Sequence, residues 1–254
     1  MPALLTPTAP TEENHHHIHL PTHSQHIGFS HHIGFNRRSM LTASAALTGA
    51  AMAGVMSSAF AQKANLRPTS EQVMGPFYPV ALPIDQDADL TVIAGKSGRA
   101  LGQIVYVSGR VTNVRGEPVA NAELEIWQAN SVGRYNHPGD QGSPPLDPNF
   151  EGYAKIRTGA DGNYSFKTIK PAAYPTGTDG WFRPPHIHFD IKGRTSRLVT
   201  QMYFGGEALN EKDKLFTSSS VDGRKSLLSR YDAPSGKQER DALAAIWDVV
   251  LVSG

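Results

Sequence analysis

One segment of the chain reads Arg183-Pro184-Pro185-His186-Ile187-His188-Phe189. From His186 onward its residues favour a β-strand, in which side chains two positions apart point to the same face. His186 and His188 can therefore direct both imidazoles at one point. The chain has 11 histidines, but beyond residue 32 only His137 accompanies this pair. The pattern suggests a metal site, although two exposed histidines on a solvent-facing sheet give the same pattern.

The composition narrows what such a site can be. The 254 residues include no cysteine, which excludes disulfides, zinc–thiolate sites, iron–sulfur clusters and thiol nucleophiles. Any metal must therefore be held by histidine, carboxylate or phenolate. The formal net charge of +1 gives no electrostatic argument for binding nucleic acid or an anionic membrane surface. With 24 glycines and 18 prolines, the composition fits a loop-rich all-β protein better than a helical bundle.

The first 61 residues do not resemble a folded domain. Residues 1–36 are rich in His, Pro, Thr and Ser, and we interpret them as a disordered His-rich leader, with a metal-scavenging tail as the alternative. Residues 37–61 begin with Arg37-Arg38, continue with a weakly hydrophobic run and end in Ala59-Phe60-Ala61, which resembles a twin-arginine signal peptide. This interpretation predicts export to the periplasm without a stable membrane anchor. An ordinary secretory signal is the alternative, and residues 62–74 are interpreted as a linker.

Residues 75–254 predict one all-β domain, an antiparallel β-sandwich with long active-site loops and a short C-terminal helix. Strands are predicted over 104–111, 122–127, 153–158, 163–168, 186–191, 198–204 and 248–252. The third and fourth of these flank Ala160-Asp161-Gly162-Asn163, which predicts a hairpin. Helical spacing over Lys237–Trp247 predicts the helix. The segment Gly75-Pro76-Phe77-Tyr78-Pro79 predicts an extended stretch docked on the core, and residues 130–152 predict an ordered functional loop.

Two tyrosines lie in irregular, Gly/Pro-rich segments where a phenol could be aimed at a ligand. They are Tyr135 and Tyr174. Phenolate oxygen suits a hard trivalent cation, and the phenol pKa of about 10 falls when it binds such an ion. Each tyrosine alone is more simply interpreted as a half-buried side chain, so the argument depends on all four residues together.

Several segments, in order along the chain, resemble the intradiol ring-cleavage dioxygenases, and among these the iron-bearing subunit of the protocatechuate 3,4-dioxygenases. The matching segments are Trp127–Asn130 with Gly133–Tyr135, Leu146–Phe150, Asp161–Phe166, Ile169–Pro175, Arg183–Phe189 and Thr200–Phe204. The resemblance runs from about Gly75 to the C-terminus. It implies that residues 75–254 form the catalytic domain.

The resemblance also implies a cofactor and an activity. It implies a non-haem Fe(III) held by Tyr135, Tyr174, His186 and His188. It places Arg183 and Gln201 beside the substrate, with Tyr174 as the ligand that leaves the metal and takes a substrate proton. The implied reaction cleaves a catechol-type ring between its two hydroxyls with O2 and gives a muconate-type dicarboxylic acid.

Some points remain open from the sequence. In protocatechuate enzymes an aromatic residue follows the Tyr-Pro pair, whereas this chain has Thr176, so the ring substituents of the substrate are not carried over. Assembly as a homo-oligomer and pairing with a related subunit are both open. The main alternative function is a non-enzymatic binding module of the transthyretin or carboxypeptidase-regulatory type. A zinc hydrolase is less favoured, because the chain has no H-E-x-x-H motif.

Overall fold

The computed structural model describes residues 65–177 and 180–254, which lie in the second of two compact units, Ala59–Gly254. The leader and signal peptide predicted for residues 1–36 and 37–61 lie outside the described residues. None of the helices within the described ranges is long and apolar enough to cross a membrane.

Strands dominate the described residues, as the all-β prediction requires. They are β1 (Ile104–Asn113), β2 (Glu123–Trp127), β3 (Tyr153–Arg157), β4 (Asn163–Ile169), β5 (Tyr174–Pro175), β6 (Phe182–Arg183), β7 (His186–Lys192), β8 (Arg197–Tyr203), β9 (Arg230–Asp232), β10 (Leu243–Ile246) and β11 (Val249–Leu251). Two short helices, α1 (Lys214–Ser218) and α2 (Val221–Leu227), follow a 3₁₀ turn at Asn210–Lys212.

The strands form two main sheets and one two-stranded pair. A five-stranded sheet has the order β11-β1-β10-β9, with β4 also pairing with β1, and a four-stranded sheet has the order β3-β2-β7-β8. The predicted antiparallel pairing holds throughout the four-stranded sheet but not in the five-stranded sheet, where β10 and β11 both run parallel to β1. The reason is the crossover between β8 and the C-terminal strands, which contains both helices and lets the chain return to β1 in the same direction.

The predicted C-terminal helix over Lys237–Trp247 is also wrong. Its second half forms β10, which pairs with β1 from Val105 to Ser108. A short apolar run such as Leu243–Ile246 is compatible with helix or strand. Pairing with a buried strand outweighs the high helix propensity of its alanines, because intrinsic propensity is readily overridden by tertiary contacts. At Gly109 a side chain would collide with the backbone carbonyl of Trp247, so this glycine permits the close approach of the C-terminal segment.

The turn at Ala160–Asn163 does not close a hairpin, which corrects a third prediction. β3 pairs with β2, whereas β4 pairs with β1, so the turn carries the chain from one sheet to the other. The local turn signal is correct, since the Gly159 N–H donates to the Asn163 carbonyl and Gly162 has φ +80°. Turn chemistry specifies the reversal but not which strand each arm will pair with.

The four-stranded sheet has two buried faces of different character. On its inner face, Leu124 and Ile126 of β2 and Ile187 and Phe189 of β7 join a core cluster that also includes residues of β1 and β4. On its outer face, the alternate residues of β2 and β7 are polar or aromatic. Side chains from the outer face lie beneath the loops and the N-terminal segment, and the sequence-predicted site is here.

The N-terminal part of the described chain packs on the sheets. Gln72 N–H donates to the Val199 carbonyl at 2.9 Å, and Thr69 exchanges hydrogen bonds with Val250. The segment beginning at Gly75 packs against a buried cluster that includes Trp127 and Tyr135, which agrees with the predicted docking, but it turns at Pro76–Phe77 rather than remaining extended. This segment covers one end of the outer face of the four-stranded sheet.

Candidate metal centre

The two histidines of β7 point to the outer face and are almost completely buried. His186 and His188 are each 2% exposed, and between them Ile187 points into the inner core. Strand pairing places His188 directly opposite Trp127 on β2 and Gln201 on β8. The alternation of β7 therefore brings both imidazoles to one side, as predicted from the sequence.

The donor atoms of three predicted ligands converge. His186 Nε2 lies 3.1 Å from His188 Nε2, and Tyr135 Oη lies 3.4 Å and 3.1 Å from these two nitrogens. Two ligands at about 2.1 Å from one metal ion, at right angles, would be about 3.0 Å apart. The spacing therefore fits three adjacent ligands of a single ion.

Tyr135 is held by the loop between β2 and β3. The Asp140 carboxylate accepts hydrogen bonds from the backbone N–H groups of Tyr135 (2.7 Å) and Gly142 (2.8 Å). The Asn130 side chain accepts from the N–H groups of Val132 and Arg134 in the same loop. These polar side chains satisfy backbone donors that no strand pairs, which gives the loop a defined shape.

Tyr174 completes the set of four predicted ligands. Its ring centroid lies 5.6 Å from that of Tyr135 and 5.8 Å from that of His186. It belongs to β5, where it pairs with Arg183 of β6. Gly133 has φ +81°, and a side chain there would meet the Ala173 carbonyl at 2.9 Å and the Tyr174 side chain at 3.1 Å. The glycine thus lets the two tyrosine-bearing loops touch.

Burial sets the ionisation of these groups in the protein alone. It holds the pKa values of His186 and His188 well below the usual range, with the Arg183 charge adding to the effect, so both imidazoles are neutral. Burial raises the pKa of Tyr135 far above its ordinary value and that of Tyr174 in the same direction, while Arg183 opposes both shifts. Phenolate at this site therefore requires a bound cation to offset the cost of burial.

The cluster suits a metal by its chemistry as well as its spacing. His186 Nδ1 lies 2.7 Å from the Pro184 carbonyl, an acceptor that fixes the proton on Nδ1 and leaves the Nε2 lone pair free. Across the described ranges, no group of three or more His, Cys, Asp or Glu side chains is placed to hold a metal ion. A metal held by this cluster would therefore need the two phenols as donors, and a hard trivalent cation is the ion that phenolates favour.

Arg183 and Gln201 lie in one buried network beside the cluster. Arg183 donates through Nε to the Asp213 carboxylate at 3.2 Å and through Nη2 to Gln201 Oε1 at 2.5 Å. The same Nη2 donates to Tyr203 Oη at 3.0 Å. Gln201 also donates from Nε2 to the Val73 carbonyl, so both ends of its amide are engaged. The network fixes the plane of the guanidinium group.

Sequence reasoning missed Asp213 and Tyr203. Asp213 is fully buried, caps α1 by accepting from Leu215 N–H, and accepts from Tyr203 Oη at 3.0 Å. Trp181 Nε1 donates to the same carboxylate at 3.1 Å. For Tyr203 a signal was available, because it follows Gln201 by two residues and so shares its face of the strand. Asp213 has the residue type of a helix N-cap, which indicates a helix start but does not identify Arg183 as its partner.

A small cavity adjoins the cluster and is lined by Phe77, Trp127, Tyr135, Glu151 and Tyr153 among others. Burial, with the Asp85 charge, raises the pKa of Glu151 to about 7, so this carboxyl holds a proton near neutrality. A larger groove lies on the five-stranded sheet, lined by Ser108, Arg110 and their neighbours. That groove has no converging ligand atoms, so the donor chemistry rather than cavity size locates the site.

Comparison with known proteins agrees with this geometry. The profile of the family described as Dioxygenase matches residues 73–253. The chain is 47% identical over 169 residues to the protocatechuate 3,4-dioxygenase beta chain of Burkholderia cepacia, covering 65% of this chain and 71% of that one. It is 33% identical to the catechol 1,2-dioxygenase of Candida albicans, covering 53% of this chain and only 46% of the relative.

A solved structure extends the comparison to the fold. The dioxygenase domain of a carbohydrate-binding fusion protein from Streptomyces sp. SirexAA-E superposes with a TM-score of 0.55 at 28% identity, covering 74% of this chain and 100% of that one. The described cluster of phenols and imidazoles falls entirely within the matched range. The chain therefore belongs to the intradiol ring-cleavage dioxygenase family.

Proposed function

We propose that the protein binds one ferric ion through Tyr135, Tyr174, His186 and His188 and cleaves a catechol-type ring between its two hydroxyls with O2. The observation that carries the proposal is the convergence of Tyr135 Oη with both histidine Nε2 atoms within 3.4 Å, beside the ring of Tyr174. Bound Fe(III) would supply the Lewis acidity and electron-accepting capacity that allow a catecholate to react with O2.

Tyr174 is suited to move a proton. It is the least buried of the four residues and lies at the edge of the cluster, in a two-residue strand. Because burial raises its pKa, a Tyr174 phenolate released from a cation is a strong base. We infer that Tyr174 Oη accepts a proton from a substrate hydroxyl when the substrate binds.

Arg183 is suited to stabilise negative charge on the substrate. Although burial opposes its charge, the neighbouring phenols and the Asp213 carboxylate raise the pKa of Arg183, so the guanidinium stays protonated. Its hydrogen bonds hold it before substrate arrives, and a preorganised charge of this kind needs no reorganisation during the reaction. In this geometry Gln201 acts on Arg183, as a positioning residue.

The substrate class follows from the relatives only as a proposal. Their names include protocatechuate, catechol and hydroxyquinol dioxygenases. We therefore propose a substituted or unsubstituted catechol as substrate and a muconate-type dicarboxylic acid as product. The similarity to a beta chain supports pairing with a related subunit. The alternative is a homo-oligomer. Light scattering of the purified protein would show whether the chain assembles by itself.

The proposal is tested by the colour and the product of the purified protein. A tyrosinate–iron(III) pair absorbs visible light, so the protein should be coloured, and addition of catechol should shift the band. Incubation with catechol, protocatechuate and hydroxyquinol should give products opened between the hydroxyls. A colourless protein with stoichiometric zinc, or ring opening beside the hydroxyls, would contradict it.

Two further expectations belong to the same proposal. We infer that the five-stranded and four-stranded sheets form a β-sandwich, supported by the core cluster to which both contribute. We also propose export by the twin-arginine route, because Arg37-Arg38 precedes a weakly hydrophobic run. Changing Arg37→Lys together with Arg38→Lys should then reduce the periplasmic yield, and an unchanged yield would favour the general secretory route.

A further inference from the structure

The two histidines of the cluster are held in different ways. His186 Nδ1 is hydrogen-bonded to the Pro184 carbonyl at 2.7 Å, as is usual for a metal-binding imidazole. His188 Nδ1 is buried and has no hydrogen-bond partner among the described residues. A ring without such a bond needs another restraint if Nε2 is to remain within 3.1 Å of both other donor atoms.

One restraint is the indole of Trp127. The two rings are stacked, with centroids 5.0 Å apart and planes 8° from parallel. The sheet itself produces this contact, because Trp127 of β2 lies directly opposite His188 of β7 in the antiparallel pair. The indole also packs against Tyr78, whose ring centroid lies 5.0 Å away with the two planes nearly perpendicular.

The second restraint is the close approach of Gly75, which leaves no room for a side chain beside the His188 ring. A side-chain carbon at this position would lie 3.1 Å from His188 Cε1 and 3.8 Å from Nε2. Cε1 is the ring carbon between the two nitrogens, so a side chain at position 75 would press on the edge of the ring that carries the donor atom. Gly75 also has φ +77°, which other residues rarely adopt. Both its conformation and its contact therefore require glycine.

We propose that Gly75 and Trp127 are positioning residues that hold the His188 imidazole by packing, in place of the hydrogen bond that holds His186. Trp127 prevents the ring from tilting and Gly75 limits its movement along its own plane. The N-terminal segment thereby contributes to metal binding without supplying a ligand. This inference rests on the proposed iron site. It extends that proposal by assigning a positioning role to two residues that bind no metal.

The test compares Gly75→Ala with Gly95→Ala. Gly95 has φ +81°, close to the value of Gly75, but a side chain there would have nothing within 4 Å. Both substitutions place a side chain on a residue of similar positive φ, and only Gly75→Ala is expected to displace His188. We expect Gly75→Ala to lose iron to a chelator more readily, with an affinity about 10–100-fold below wild type, the range seen when a supporting group is lost, and to shift the visible band. Gly95→Ala should keep wild-type values.

Trp127 supplies a second pair of variants that does not depend on the strain at Gly75. Trp127→Phe keeps a flat ring opposite His188, whereas Trp127→Leu does not. We expect Trp127→Leu to release iron faster and Trp127→Phe to restore much of the retention, with circular dichroism of the metal-free proteins confirming that both fold. A coloured wild type with unchanged iron release in Gly75→Ala and Trp127→Leu would overturn this inference and leave the iron site standing. A wild type that binds no iron would overturn both.

Discussion

The outer face of the four-stranded sheet has two ends that are built from the same strands but differ in how their buried polar groups are paired. The site end consists of His186, His188 and Trp127 with Tyr135 above them. The charged end consists of Glu125, Asp190, Lys192 and Arg197. Tyr78 touches both ends, since its ring packs on Trp127 and its hydroxyl donates to Glu125 at 2.5 Å.

At the charged end each buried carboxylate has its own cation. Asp190, 1% exposed, accepts two hydrogen bonds of 2.8 Å from Arg197, and Glu125 accepts one of 2.9 Å from Lys192. At the site end the donor atoms of Tyr135, His186 and His188 face one another instead. Buried polar atoms are normally paired, so the charged end is complete within the chain, whereas the site end would be completed by the cation proposed above.

The largest expected effect is the loss of iron from His188→Ala. Removing a supporting group typically weakens metal binding about 10–100-fold, so removing a ligand should weaken it by more than about 100-fold. Iron content after dialysis against a chelator and the visible spectrum would measure it. His137→Ala is the matched control, because His137 contributes no atom to the donor cluster and should leave iron content unchanged. Normal iron content in His188→Ala would remove it from the ligand set.

Arg183 lies beside the site end, and Arg183→Lys should separate catalysis from metal binding. Lysine keeps the positive charge but lacks the fork that donates to Asp213, Gln201 and Tyr203. Loss of one preorganised donor typically costs about 100-fold or more in rate, so kcat/KM should fall by about that factor while iron content and colour persist. Wild-type kinetics in this variant would exclude Arg183 from charge stabilisation.

The sequence predicts which residues of each strand share the outer face, but it does not predict which strands lie side by side. Period-two alternation places His186 and His188 on one face, and it places Glu125 and Trp127 together on the neighbouring strand. Alternation does not say which strands are neighbours, so the pairing of Trp127 with His188 was not predictable. For the same reason the turn at Ala160–Asn163 was mistaken for a hairpin.

The parts that depend on distant segments were the least predictable. Asp213 reaches Arg183 across 30 residues of sequence, and no local pattern links a helix cap to a buried guanidinium group. Leu243–Ile246 has the composition of a helix, but β1 offers an unpaired edge and the run becomes β10. The two proposed tyrosine ligands were assigned from the family resemblance, because a phenol in a loop has no periodicity that reveals its direction.

At the charged end, Arg197→Met should destabilise the fold without affecting the metal. The change leaves Asp190 buried, and among the cations of the described residues only Lys192 Nζ, at 3.5 Å, then lies within ion-pair distance. Because the Arg197 side chain is 54% exposed and solvent screens its charge, we expect a fall of about 1–2 kcal/mol in the free energy of unfolding. Urea unfolding measures it, with the exposed Arg115→Met as control. Loss of iron from Arg197→Met would show that the two ends are not independent.

The smallest effect expected is a pH-dependent one at Glu125. Although burial acts to raise the pKa of Glu125, the hydrogen bonds from Tyr78 and Lys192 outweigh it and hold that pKa below the ordinary 4.5. A lowered pKa in the folded state means that the unfolded chain binds protons more readily in acid. The stabilisation from Glu125 is therefore fully present above pH 4.5 and is lost as the pH falls through its folded pKa.

Glu125→Gln removes this ionisable group while keeping its shape, so it tests directly whether stability is lost or gained as the pH falls. At pH 7 the variant should be less stable than wild type by about 1 kcal/mol, the value of a typical net hydrogen bond. The difference should narrow below pH 4.5, because protonated Glu125 can no longer attract Lys192. Urea unfolding from pH 7 to pH 3 measures it, with Glu117→Gln at an exposed ion pair as the matched substitution. A difference that stays constant or widens in acid would mean that burial, rather than pairing, dominates the energetics of the charged end.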